Sequence, residues 1–90
     1  MITNFIKAIT FTRVIKAGGR LREFNFRKFK NEGQDLFSVD TVDNGGDRIL
    51  FRMQRSDNNH WSITQMVAPT WIQENEGLLD EAIETELHNA

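Results

Sequence analysis

The stretch ITFTRVIKAGGRLREFNFRKF, residues 9–29, decides the fold. Two runs rich in β-branched and aromatic residues, about 9–16 and 20–29, flank Gly18-Gly19. A two-residue Gly-Gly loop accepts the positive φ angles of a type I′ hairpin turn. That turn sets a register in which Phe11 faces Phe26, Arg13 faces Phe24 and Ile15 faces Arg22. Cross-strand partners share a face of the sheet. Phe11, Ile15, Phe24 and Phe26 therefore line an apolar face, and Thr10, Thr12, Glu23, Asn25 and Arg27 a wet one. This is the pattern of an antiparallel sheet covered on one side.

The reading extends outward in both directions. A polar loop, Asn31-Glu32-Gly33-Gln34, leads to a third strand at about 35–42, with Phe37 and Val39 expected opposite Phe26 and Phe24, and Lys28 opposite Asp35. Asp43-Asn44-Gly45-Gly46-Asp47 is a dense turn signal. Keeping Val39 and Thr41 on the face of Ile49 and Phe51 needs an odd loop, Asn44-Gly45-Gly46, with glycine in the left-handed region. The same parity predicts Asp57-Asn58-Asn59 as the last hairpin loop, with Asn59 left-handed, Ile63 opposite Met53 and Val67 opposite Ile49. Upstream, Ile2, Phe5, Ile6 and Ile9 have helical spacing and predict a short N-terminal helical turn. Downstream, Pro69 ends the strand and Thr70-Trp71-Ile72-Gln73 has the form of a capping box. A main helix follows at about 75–88, with an apolar stripe of Ile72, Leu79, Ala82, Ile83 and Leu87 and acids in its first turns (Glu74, Glu76, Asp80, Glu81) that suit the positive end of its dipole. The fold class is α+β: a five-stranded antiparallel meander with one C-terminal amphipathic helix packed on its apolar face, in a single domain over residues 1–90.

Composition narrows function. Ninety residues that are 39% hydrophobic, with seven Phe and two Trp, are too apolar for a disordered segment. No cysteine is present, which excludes disulfides, thiolate metal sites and cysteine nucleophiles. A small secreted domain would more often carry disulfides, so the expected location is cytoplasmic. No apolar run approaches the ~20 residues of a membrane helix, and no membrane partner is expected. The net charge of -2 conceals a split. Residues 1–31 hold eight bases and one acid, and residues 32–90 twelve acids and three bases. With the bases concentrated in the first hairpin and the acids on the helix, a charge dipole is expected.

Several groupings invite chemistry. Arg22-Glu23-Phe24-Asn25-Phe26-Arg27-Lys28-Phe29 shares its basic and aromatic offsets with the RNP1 segment of RNA-recognition motifs. There, however, the two leading aromatics face solvent, and here the alternate positions are Glu23, Asn25 and Arg27, which cannot form a core. Phe24 and Phe26 must be inside, and no family resemblance is drawn. A basic finger remains: Arg13, Lys16, Arg20 and Arg22 toward the hairpin tip, and Arg27, Lys28 and Lys30 at its other end, suited to phosphate contacts in a nucleic acid or other polyanion. Asp40, Asp43 and Asp47 fit no calcium-loop frame and read as turn residues bonding their own backbone. His60 with Asp57 resembles a base with an orienting acid, but no motif places a nucleophile beside them. His88 suits a helix C-terminus. No catalytic residue, metal or cofactor is expected.

Trp61 and Trp71 are expected to close one end of the core, where they would edge a pocket for a small ligand between sheet and helix. Val14, Leu36, Val42, Leu50 and Met66 share the open face and form the candidate partner face. The expected function is a non-catalytic domain acting through protein contact, by self-association or partner docking, with polyanion binding as the alternative and small-ligand binding third.

Overall fold

The computed structural model describes residues 9–64 and 68–89. Five strands form one antiparallel sheet in chain order: β1 (Thr10–Ala17), β2 (Arg20–Asn31), β3 (Gln34–Val42), β4 (Arg48–Arg55) and β5 (Trp61–Thr64). Two helical segments follow, α1 (Thr70–Gln73) and α2 (Glu76–Asn89). The expected N-terminal turn over 2–9 falls almost wholly outside the described residues, as do Val67 and Met66. Ile9, at its end, extends the first hairpin: its carbonyl accepts Lys28 N–H at 2.9 Å.

The first hairpin has the expected register, Phe11↔Phe26, Arg13↔Phe24 and Ile15↔Arg22. Gly18 and Gly19 both have positive φ, +62° and +78°, as a type I′ turn requires. The third hairpin closes on Asn44-Gly45-Gly46, with Gly46 at +87° and a 2.8 Å bond from Asp43 N–H to the Asp47 carbonyl. Asn59 takes the left-handed conformation at +67°, and Met53 pairs with Ile63.

The second hairpin differs by two residues. Phe26 pairs with Val39 and Lys28 with Phe37, not Phe24 with Val39 and Phe26 with Phe37. The chain turns on Glu32-Gly33 alone, both at positive φ, so that Asn31 pairs with Gln34. A shift of two leaves each side chain on its expected face. Lys28 is accordingly diagonal to Asp35 rather than opposite it, yet its ammonium still lies 3.8 Å from that carboxylate.

One face of the sheet and the helices enclose the core. Phe24, Phe26, Phe37, Val39, Phe51 and Met53 from the sheet pack against Ile72, Leu79, Ala82 and Ile83. Phe11 stacks on Phe26 with ring centres 4.5 Å apart, and Phe37 meets Trp61 edge to face at 5.0 Å. Aromatic pairs of this kind add about 0.5–1.5 kcal/mol beyond their buried area.

The helix start departs from the capping box. Pro69, not Thr70, occupies the N-cap position, and its carbonyl accepts Ile72 and Gln73 N–H at 2.9 and 3.1 Å. Thr70 thus lies inside the first turn and makes no cap, while Gln73 Nε2 donates to the Ala68 carbonyl. Asn75 immediately precedes α2: its carbonyl accepts Leu78 and Leu79 N–H at 3.0 and 3.1 Å, and its side chain donates to the Trp71 carbonyl at 2.7 Å. The join between the helices falls at residues 74 and 75, and Gly77 lies in the first turn of α2. Among the described residues, no helix is long and apolar enough to cross a membrane.

Candidate functional site

The open face of the sheet is organised by a polar chain running across four strands. Thr12 Oγ1 donates to Asn25 Oδ1 at 2.7 Å, Asn25 Nδ2 donates to Asp40 Oδ1 at 3.0 Å, and Arg48 donates to the same Asp40 oxygen at 2.6 Å. These residues occupy in-register or adjacent positions on β1, β2, β3 and β4, which places their side chains within reach across strands ~4.8 Å apart. A shallow cleft of about 530 Å³ lies over this chain, lined also by Arg27 and Ser38.

The polar chain divides the candidate partner face. Leu36 is buried, paired with Phe29, whose ring lies 5.3 Å beneath the Arg52 guanidinium. Val14 is 61% exposed, Leu50 54% and Val42 43%. Leu21, at 74%, is the most exposed large apolar side chain among the described residues, and the sequence reading passed over it. Its signal was available: it shares the parity of Glu23 and Asn25. Leu21 is diagonal to Val14 in the β1–β2 ladder and lines one cleft with Val42. The ladder sets Val14 beside Leu21 and the cleft sets Leu21 beside Val42, toward the Gly18-Gly19 end of the sheet, with Lys16 opposite Leu21 and Glu23 and Arg48 in the same cleft.

That cleft, about 340 Å³, arises where the sheet opens. The β2–β3 ladder ends at Asn25↔Asp40, although β2 extends back to Arg20 and β3 on to Val42. Side chains bridge the gap: Thr41 Oγ1 donates to the Glu23 carbonyl at 2.9 Å, and Arg22 Nη1 to the Val42 carbonyl at 3.2 Å. Arg22 also donates to the Ala17 carbonyl and to Asn44 Oδ1, both at 2.8 Å, and stacks on Trp71 with its guanidinium carbon 4.0 Å from the ring centre.

The basic finger is dispersed. Arg13 lies on the core side of β1 and pairs with Glu86 of α2 at 2.9 Å instead of joining the tip. Lys28 and Lys30 both approach Asp35 at 3.8 Å. Arg22 is 8% exposed, and Arg20 is turned onto Asn44 Oδ1 at 2.8 Å. Lys16 and Arg27 stand exposed on the open face. Arg55 reaches Glu84 at 3.0 Å, so two ion pairs join the sheet to the acidic helix and the charge dipole is partly neutralised internally.

The tryptophans occupy opposite ends of the sheet. Trp61 is buried opposite Arg55, whose guanidinium lies 4.8 Å from its ring centre. Trp71 packs at the Gly18 turn, where a Cβ on Gly18 would meet the Trp71 Cβ at 3.1 Å. They share no pocket edge among the clefts described.

His60 pairs with Asp80 on α2 at 3.0 Å rather than with Asp57 on its own loop. Asp80 also accepts Trp61 N–H at 2.8 Å, and His88 Nδ1 lies 2.8 Å from the Glu84 carbonyl. Both imidazoles line one groove of about 430 Å³. Asp43 Oδ1 accepts Gly45 and Asp47 N–H, each at 2.9 Å, closing its own turn, and Asp40 faces Arg48. Among the described residues, no three His, Asp or Glu side chains are grouped to hold a metal ion.

No protein-family model matches the chain, and no curated protein or solved structure matches it. The functional reading rests on the molecule's own geometry.

Proposed function

We propose that this domain acts through protein contact, without catalysis, by associating with a second copy through the Gly18-Gly19 end of its open face. The observation that carries this reading is the exposure of Leu21, Val14 and Val42 together, on a sheet whose other face leaves no large apolar side chain exposed among the described residues. Exposed apolar groups that gather in one place, unlike scattered ones, mark contact surfaces. The rim carries both signs, Lys16 and Arg48 beside Glu23 and Asp43, as a self-complementary two-fold interface needs. The absence of cysteine supports a cytoplasmic setting.

A light-scattering mass series tests the proposal. A mass that rises toward the dimer with concentration, and that returns to the monomer in Leu21→Lys, is the expected result. A strict monomer at millimolar concentration would count decisively against it. The open-face bases Lys16, Arg27, Arg48 and Arg52 favour polyanion binding as a second reading. An NMR titration with an oligonucleotide at low salt tests it, and unchanged signals from these four residues would remove it.

A further inference from the structure

We infer that the point where Arg20 and Arg22 converge, now taken by Asn44 Oδ1 beside the opening between β2 and β3, is a binding site for a single carboxylate. This goes beyond the self-association reading and does not depend on it.

Arg22 is more than nine-tenths buried and forms no ion pair with a carboxylate among the described residues. A buried charge is normally paired, because desolvation is costly and neutral partners recover only part of the loss. Its partners here are two backbone carbonyls, the Trp71 ring and one amide oxygen. Onto that same oxygen Arg20 Nη1 also converges, so two guanidinium groups donate to one neutral acceptor at 2.8 Å each. Two cationic donors meeting at one point suit an oxyanion far better than an amide, since charge-assisted hydrogen bonds are roughly twice as strong as neutral ones.

The surroundings select the kind of anion. Asn44 is exposed in a glycine-rich loop, Asn44-Gly45-Gly46, and can swing aside. The 340 Å³ opening, which both arginines line and Asn44 does not, adjoins the point it would leave. Arg48, the third guanidinium at its wall, is already paired with Asp40, while Glu23 and Asp43 add negative charge. The two remaining positive charges suit one singly charged group, and the acids disfavour a dianion such as a phosphate monoester. Leu21 and Val42, which line the same opening from the open face, suit an apolar chain attached to the carboxylate. The ligand class is a small organic acid with an aliphatic body.

The test is an NMR titration of the labelled chain with sodium acetate against sodium chloride at equal ionic strength, followed at the Arg20 and Arg22 Nε–H signals and the Asn44 side-chain amide. Acetate is expected to move these signals saturably and chloride not to. Asn44→Asp supplies a tethered carboxylate; it should raise the thermal midpoint by roughly 4–8 °C and abolish the acetate response. Arg20→Gln should weaken acetate binding about tenfold while moving the midpoint by less than about 3 °C. Equal responses to acetate and chloride, or an undiminished acetate response in Asn44→Asp, overturn the site. Inorganic phosphate binding more tightly than acetate overturns the carboxylate assignment.

Discussion

Asp80 of α2 accepts the backbone N–H of Trp61 at 2.8 Å, and one helical turn earlier Glu76 accepts that of Ile63 at 2.9 Å. The two carboxylates thereby close the outer edge of β5. Their spacing makes this possible. Four residues along a helix advance about 6 Å, and two residues along a strand about 6.6 Å, so side chains at i and i+4 reach alternate N–H groups of the strand. An uncovered edge is a template for pairing with another chain. Two of the four acids that read as complements to the helix dipole serve as the partners of a sheet edge.

Removing Asp80 should therefore act on β5. Asp80→Ala leaves Trp61 N–H without its acceptor and is expected to destabilise the fold by about 1–3 kcal/mol, measured by urea denaturation. Asp80→Asn keeps an acceptor oxygen and should cost less. Hydrogen exchange at the Trp61 amide should accelerate in Asp80→Ala more than at Phe37 in the sheet centre. Equal acceleration at both would show that the effect is global rather than an opening of the edge.

Arg22 ties the first hairpin to the helical segment through its stack on Trp71. A double-mutant cycle with Arg22→Met and Trp71→Leu should yield a coupling of about 0.5–2 kcal/mol. Arg22→Lys retains the charge but loses the planar fork that reaches Ala17, Val42 and Asn44 together. It should destabilise nearly as much as Arg22→Met. A neutral Arg22→Lys would mean that charge alone matters at this position.

The hairpins show what was legible in the sequence. Gly18-Gly19, Gly46 and Asn59 are residue types that enter the left-handed region readily, and each turn built on them has the expected register. Glu32 also has positive φ, at 53°, but nothing in a glutamate announces it, and the β2–β3 register was accordingly misplaced by two. Left-handed geometry costs an ordinary residue about 1–2 kcal/mol, and asparagine tolerates it better. Glu32→Asn should thus stabilise the protein by about 0.5–1 kcal/mol, read as a higher denaturation midpoint with an unchanged denaturant slope. No gain would imply that the Glu32 side chain contributes a compensating interaction in the folded chain.

The candidate site was less legible than the fold, because its parts come from distant segments. Period-two alternation shows that Arg22 shares a face with Phe24 and Phe26, but not that Asn44 and Trp71 converge on it. The His60–Asp80 pair, and Arg13 with Glu86, likewise depend on where the helix crosses the sheet.

Arg13 and Glu86 offer a direct check of that crossing. Arg13 sits opposite Phe24 on the core side, with its guanidinium 5.2 Å from the Phe11 ring centre and 2.9 Å from Glu86. Both side chains are about one-third exposed, so the pair is partly screened and should couple by about 0.2–1 kcal/mol. Arg13→Glu sets two carboxylates against each other and should destabilise by more than the pair's own strength, because it also loses the cation over Phe11. Glu86→Arg should cost less, because it leaves the Arg13 guanidinium over Phe11 in place. Combining the two restores opposite charges and should recover part of the loss. That recovery should shrink between low salt and about 1 M salt, where the Debye length falls to ~3 Å. Urea denaturation of the four variants at both salt concentrations measures it. Additive losses with no recovery at low salt would place Glu86 away from β1 and require a different path for α2 across the sheet.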